Sequence, residues 1–212
     1  GYWFSFDGLA AGEQVEVRMG ISYVSTENAR KNLDAEQAAD APFDAIREQA
    51  RKGWNEALGR IRVEGGAEQQ QRVFYTALYH ALLHPNLVSD VNGEYPLMER
   101  SGETGVTDGE RYTVFSLWDT CRNLHQLLTL VYPERQLEMV RSMVGMYREW
   151  GWLPKWELYG RETFTMEGDP SIPVIVDTWM KGLRDFDMDA AYEAMRKSAT
   201  TPGARNRMRP DI

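Results

Sequence analysis

Apolar and polar positions change period near residue 25. Before it, residues 1–6 are aromatic-rich, Asp7-Gly8 is a turn signal and Val15-Glu-Val-Arg-Met19 alternates, so strand is predicted within residues 1–24. Two strands alone are unstable in water, so these are expected to belong to a β-domain with further strands elsewhere. After it, apolar residues recur at three- and four-residue steps. Ser25 followed by Thr26-Glu27 reads as a helix start. Phe43, Ile46, Ala50, Trp54, Leu58 and Ile61 form one stripe, and Val73, Phe74, Ala77, Leu78, Ala81 and Leu82 a second that stops before Pro85. Further helices are predicted over 115–131, 134–147, 173–183 and 189–198, with Leu137, Val140, Val144 and Tyr147 on the inner face of the second of these. Long loops at 86–111 and 151–170 carry Gly, Pro and many aromatics, and loops of that length are usually functional or disordered.

Those loops hold the candidate chemistry. Tyr112-Thr-Val-Phe-Ser-Leu-Trp-Asp-Thr120 and Gly151-Trp-Leu-Pro-Lys-Trp-Glu157 each set an aromatic beside an acid, as Trp118-Asp119 and Trp156-Glu157. Glu162-Thr-Phe-Thr-Met-Glu-Gly-Asp169 adds Glu162 and Asp169. A sugar needs such pairs, because its C–H faces pack on flat rings while its hydroxyls need acceptors. The plain alternative has Asp119 capping a helix or pairing with Arg122, and Glu157 as a surface acid. Three acid-bearing aromatic loops favour a shared site more than any one does.

Composition narrows the field. Hydrophobic residues make up 42% and charged residues 26% of 212, with seven Trp and ten Tyr, an ordinary globular balance with an aromatic excess. The net charge of −8 and the lack of a basic cluster with aromatics argue against nucleic acid. No apolar run is long enough for a membrane span. A lone Cys121 allows no internal disulfide and is expected to be a buried structural thiol. His80 and His84 share a helix face, but the run His80-Ala-Leu-Leu-His84 lacks the acid of a zinc protease motif, so one packed histidine and one near a helix end is the better reading. Ser89-Asp-Val-Asn-Gly-Glu-Tyr95 lacks the ligand alternation of a calcium loop and reads as an Asn-Gly turn. The first residues lack the basic start and cleavage site of a signal peptide, and the chain is expected to be part of a larger protein.

Taken in order, the motifs resemble those of glycoside hydrolase family 92, the calcium-dependent exo-acting α-mannosidases. Gly20-Ile-Ser-Tyr-Val-Ser25 with Glu27, Asn28, Ala29, Asn32 and Leu33, then Phe74-Tyr-Thr-Ala-Leu-Tyr-His80 with Pro85, then residues 89–95, 112–122, 151–157, Glu162-Thr163 and 168–182 carry the likeness. It implies a mostly α fold: the end of an N-terminal β-sandwich over 1–24, linker helices over 25–65, and the first half of an (α/α)6 barrel over 66–212. It further implies inverting hydrolysis of terminal α-linked mannose, calcium as cofactor, a mannose-containing glycan as partner and a periplasmic or secreted location. The general acid and base and the main calcium ligands are expected outside this chain, which alone would be inactive. By that resemblance Trp118 and Asp119 form part of the wall around the terminal mannose, and Trp156, Glu157, Glu162 and Asp169 line the same mouth. Cys121 stands where an aromatic is common in the family, and Gln126 where Pro is common. A non-catalytic carbohydrate-binding or scaffold module and another (α/α)6 glycosidase are the competing readings.

Overall fold

Helix α6 (Pro133–Trp150) supplies more of the buried apolar core than any other element among the described residues. In the computed structural model, which describes residues 3–201, its inner face buries Met139, Val140, Met143, Val144 and Met146. The fixed φ of Pro133 suits a first helical position. Gly151, at φ 93°, ends the helix in the left-handed conformation and donates to Tyr147 O at 2.6 Å. Val140 and Val144 face inward as expected, whereas Leu137 and Tyr147 lie half-buried at the margin of that face.

Seven more helices are present among the described residues: α1 (Thr26–Glu36), α2 (Phe43–Leu58), α3 (Glu68–Ala81), α4 (Leu117–Thr120), α5 (Leu124–Val131), α7 (Ser171–Met180) and α8 (Met188–Thr200). Helices α5, α7 and α8 pack on α6 through Leu128, Val174, Ile175, Ala191 and Ala194. Ser25 caps α1 by accepting from Asn28 N at 3.1 Å, the role that its hydroxyl predicts. The stripe on α2 is only partly covered. Trp54 and Leu58 pack on the core, but Phe43 is 64% exposed.

The two long loops are built of short antiparallel pairs: β1 (Asn86–Leu87) with β4 (Tyr112–Thr113), β2 (Glu94–Pro96) with β3 (Thr104–Val106), and β5 (Phe115–Ser116) with β6 (Trp156–Leu158), which also pairs with β7 (Arg161–Glu162). Two predictions are corrected. No strand forms among residues 3–24, where Trp3, Phe4, Val17 and Met19 are exposed and no neighbouring strand supplies hydrogen bonds; residues 1 and 2 of that prediction lie outside the described residues. The single helix predicted over 115–131 is a strand, one helical turn and a separate helix, because Phe115 and Ser116 pair with Glu157 and Trp156 instead of coiling.

The Asn-Gly turn forms as expected, with Gly93 at φ 81° and its N–H donating to Asp90 O at 2.8 Å. Asp90 is also the centre of a polar knot. Its carboxylate accepts from Ser22 Oγ and Asn28 Nδ2, both at 2.8 Å, and from Asn32 Nδ2 at 2.7 Å, which clamps α1 to the β2–β3 hairpin.

Candidate functional site

The pairing of β5 with β6 determines where the aromatic-acid pairs meet. Phe115 lies opposite Glu157 and Ser116 opposite Trp156. Side chains alternate along a strand, so each cross-strand pair shares a face. Phe115 and Glu157 take the inner face and are fully buried. Ser116 and Trp156 take the outer face and are half-buried. The Ser116 hydroxyl then donates to Asp119 Oδ2 at 2.5 Å, and Leu117 N donates to Lys155 O at 3.2 Å. Ser116 therefore links the two loops, paired with Trp156 across the strands and bonded to Asp119 within its own.

Helix α4 turns the first two outward. In a single turn, positions three apart share a face. Leu117 and Thr120 point inward, the first fully buried, while Trp118 and Asp119 are exposed. Arg122 stacks its guanidinium over the Trp118 ring at 4.5 Å and donates from Nε to Trp118 O at 3.3 Å. In place of the alternative Asp119–Arg122 pairing, Arg122 contacts Trp118, four residues back, and Asp119 accepts from Ser116.

Glu157 and Glu162 hold this platform from beneath. Glu157 accepts from Thr113 Oγ1 at 2.8 Å, Gly160 N at 2.6 Å and Val114 N at 3.0 Å. Burial pushes its pKa up to about 7, against the pull of the Gly160 N–H, the Thr113 hydroxyl and Arg111. Val114, β-branched, has φ 63°, a left-handed conformation that costs such a residue roughly 1–2 kcal/mol. Glu162 is buried and accepts from Lys155 N at 2.8 Å and from Trp156 N and Phe164 N at 3.0 Å. Both carboxylates thus end on groups of the loops that bear Trp118 and Trp156, not on the outer surface. Asp169 is half-buried just ahead of α7, and its carbonyl accepts from Ile172 N at 3.1 Å. Ser171, two residues on, donates to Pro154 O, which ties that end of α7 to the Trp156 loop.

Three further sequence candidates are His80, His84 and Cys121, the last in contact with Trp118. His80 and His84 are exposed, and His84 Nδ1 lies 3.2 Å from Asn86 Oδ1. Cys121 is half-exposed, not buried as expected, with Sγ 3.6 Å from Trp118 O, because α4 ends there at the surface. Among the described residues no cluster of three or more His, Cys, Asp or Glu could hold a metal ion, and no helix is long and apolar enough to cross a membrane. The supporting roles of Ser116 and Thr113 were not visible in sequence, since both depend on strand pairing. Arg122 was legible only as a partner of Asp119; its four-residue spacing from Trp118 is the signal that could have revealed the stacking contact.

Comparison with known proteins identifies the family. The pattern of the glycosyl hydrolase family 92 catalytic domain matches residues 28–211. The chain is similar to a family GH92 alpha-mannosidase from Bacteroides thetaiotaomicron, at 34% identity and a TM-score of 0.79 over 84% of this chain and 24% of that one. That mannosidase is also known in complex with mannoimidazole. A family GH92 inverting mannosidase from Bacteroides thetaiotaomicron VPI-5482 is similar at 37% identity and a TM-score of 0.75, over 84% of this chain and 24% of that one. An uncharacterized secreted glycosidase from Arthroderma benhamiae is 26% identical over 204 residues, 94% of this chain and 22% of its own length. The chain spans about a quarter of the length of these relatives.

Proposed function

We propose that this chain, which belongs to glycosyl hydrolase family 92, is part of an inverting α-mannosidase and supplies one wall of the pocket for the terminal mannose of a glycan. One observation carries the reading: Ser116 pairs with Trp156 and bonds Asp119, and in this reading Trp118, Trp156 and Asp119 form one sugar-facing surface. On that surface Trp118 and Trp156 offer apolar faces to the sugar C–H groups, and Asp119 accepts from sugar hydroxyls. Glu157 and Glu162 act indirectly, by holding the loops, and Asp169 closes the margin beside the Trp156 loop.

Inversion requires a carboxylic acid to protonate the leaving oxygen and a carboxylate to activate water, about 6.5–9.5 Å apart. Glu157 and Glu162 are committed to backbone N–H groups, so the acid and base are assigned to other parts of the enzyme. The complete architecture in this reading is linker helices over 25–65, an (α/α)6 barrel beginning at 66 and an N-terminal β-sandwich in which residues 1–24 become strand only on pairing with the rest of that domain. Calcium is the family's expected cofactor, but the described residues offer it no cluster of acids. Secretion is the proposed location, in line with the name of the fungal relative.

The test uses the protein at the length of its mannosidase relatives, assayed on aryl α-mannoside and aryl α-glucoside. The expected outcome is hydrolysis of the mannoside with inversion at the anomeric carbon, lowered at least tenfold in kcat/KM by Asp119→Ala. Preference for the glucoside, or retention of configuration, would overturn the assignment.

A further inference from the structure

We propose that Thr120, His125, Gln136 and Thr178 form a buried positioning relay that fixes the outward presentation of Trp118 and Asp119. The inference rests on the reading above that those two side chains hold the sugar. All the relay groups except Thr120 are almost fully buried, with His125 at 1% exposure and Gln136 and Thr178 at 0%. No part of the proposed chemistry uses them, and buried polar groups of this kind are kept only with partners.

The hydrogen-bond pattern fixes each proton in turn. Thr178 Oγ1 has one proton, which it donates to Val174 O at 2.8 Å. Its contact with Gln136 Nε2 at 2.9 Å is therefore one in which it accepts. Gln136 must then turn its Oε1 toward His125 Nδ1, 2.9 Å away. An amide oxygen only accepts, so Nδ1 carries the imidazole proton. In the neutral ring this leaves a bare lone pair on Nε2, which lies 3.0 Å from Thr120 Oγ1. Thr120 donates there. Desolvation by burial holds the His125 pKa down at about 4, so the ring is neutral over the ordinary working range.

The functional consequence follows from the shape of α4. A helix of four residues has too few internal hydrogen bonds to fix its own rotation. Leu117 anchors its first residue in the core, and the Thr120 hydroxyl anchors its last. Two anchors on one side of a single turn hold the intervening Trp118 and Asp119 on the other. The relay runs from α4 through α5 and α6 to α7 and so refers the sugar wall to the most buried helices of the fold.

The test has two parts. On the 212-residue chain labelled with 15N at histidine, the His125 signals at neutral pH are expected to report a protonated Nδ1 and an unprotonated Nε2. A protonated Nε2 would overturn the relay. In the protein at the length of its mannosidase relatives, Thr120→Val keeps the branched shape and removes the donor. It is expected to raise KM for an aryl α-mannoside by roughly five- to tenfold, the effect of one buried hydrogen bond, and Thr120→Ser is expected to restore it. An unchanged KM in Thr120→Val, or a Ser variant as impaired as Val, would overturn the relay. Trp118→Ala and Asp119→Ala, measured alongside, separate the two layers. If they raise KM and Thr120→Val does not, the relay falls and the sugar wall stands. If neither raises KM, the sugar wall falls and takes the relay with it.

Discussion

Glu157 and His125 are buried groups whose pKa values move in opposite directions, and their effects on stability nearly oppose each other. Glu157 ordinarily titrates near 4.5 and in the fold at about 7. The folded protein therefore holds its proton more tightly than the unfolded chain, so its contribution is complete below pH 4.5 and is lost as pH rises to about 7. His125 ordinarily titrates near 6.5 and in the fold at about 4. Here the unfolded chain binds the proton more tightly, so stability is complete above pH 6.5 and lost as pH falls to about 4. Each span is worth about 3 kcal/mol. We predict that Glu157→Gln gains about 3 kcal/mol relative to the parent between pH 4.5 and about pH 8, measured by urea denaturation at a series of pH values. Parallel stability curves for parent and variant would contradict the buried titration. Sequence showed Glu157 as an acid beside an indole. It could not show that the acid points inward, because that depends on the β5–β6 register, which brings Phe115 opposite it.

The helices were legible as elements because their apolar spacing and caps agree. Ser25 caps α1, and α6, α7 and α8 form within a few residues of their predicted bounds. The small strands were not legible, since two- and three-residue pairs have no period to read. The strand signal before residue 25 was real as a pattern, but pattern alone does not make a strand without a partner to bond. Gly151 is an element-scale feature that the periodicity did not reveal, since it placed the helix end at Tyr147. Its φ of 93° ends α6, and an added Cβ would meet only Lys197 Nζ at 3.3 Å, the end of a flexible side chain. Backbone strain therefore decides the cost. Gly151→Ala is expected to lower stability by about 1–2 kcal/mol and Tm by a few degrees, roughly 2–4 °C per kcal/mol. A variant as stable as the parent in thermal denaturation would show that the left-handed cap is not required. Lys197 adds to this corner by donating to Gly151 O at 2.7 Å and lying 4.6 Å from the Trp152 ring, which ties α8 to the end of α6.

At the scale of the whole molecule, a mostly helical body presents its aromatic loops around short strand pairs, and the proposed platform of Trp118, Asp119 and Trp156 draws on two loops about 40 residues apart in sequence. The family was legible because its motifs are long and ordered, and the match over residues 28–211 agrees with that reading. The convergence of the two loops was legible only as a hypothesis, because composition says that rings and acids are present but not that Ser116 joins them. The central claim is that this platform grips a terminal mannose. It is tested most directly by calorimetric titration of mannoimidazole into the protein at the length of its mannosidase relatives, with and without Trp118→Ala. We predict binding by the parent and an affinity weakened about tenfold or more in the variant, as expected when a stacking ring is removed from a buried contact. Equal affinity in parent and variant would contradict the claim.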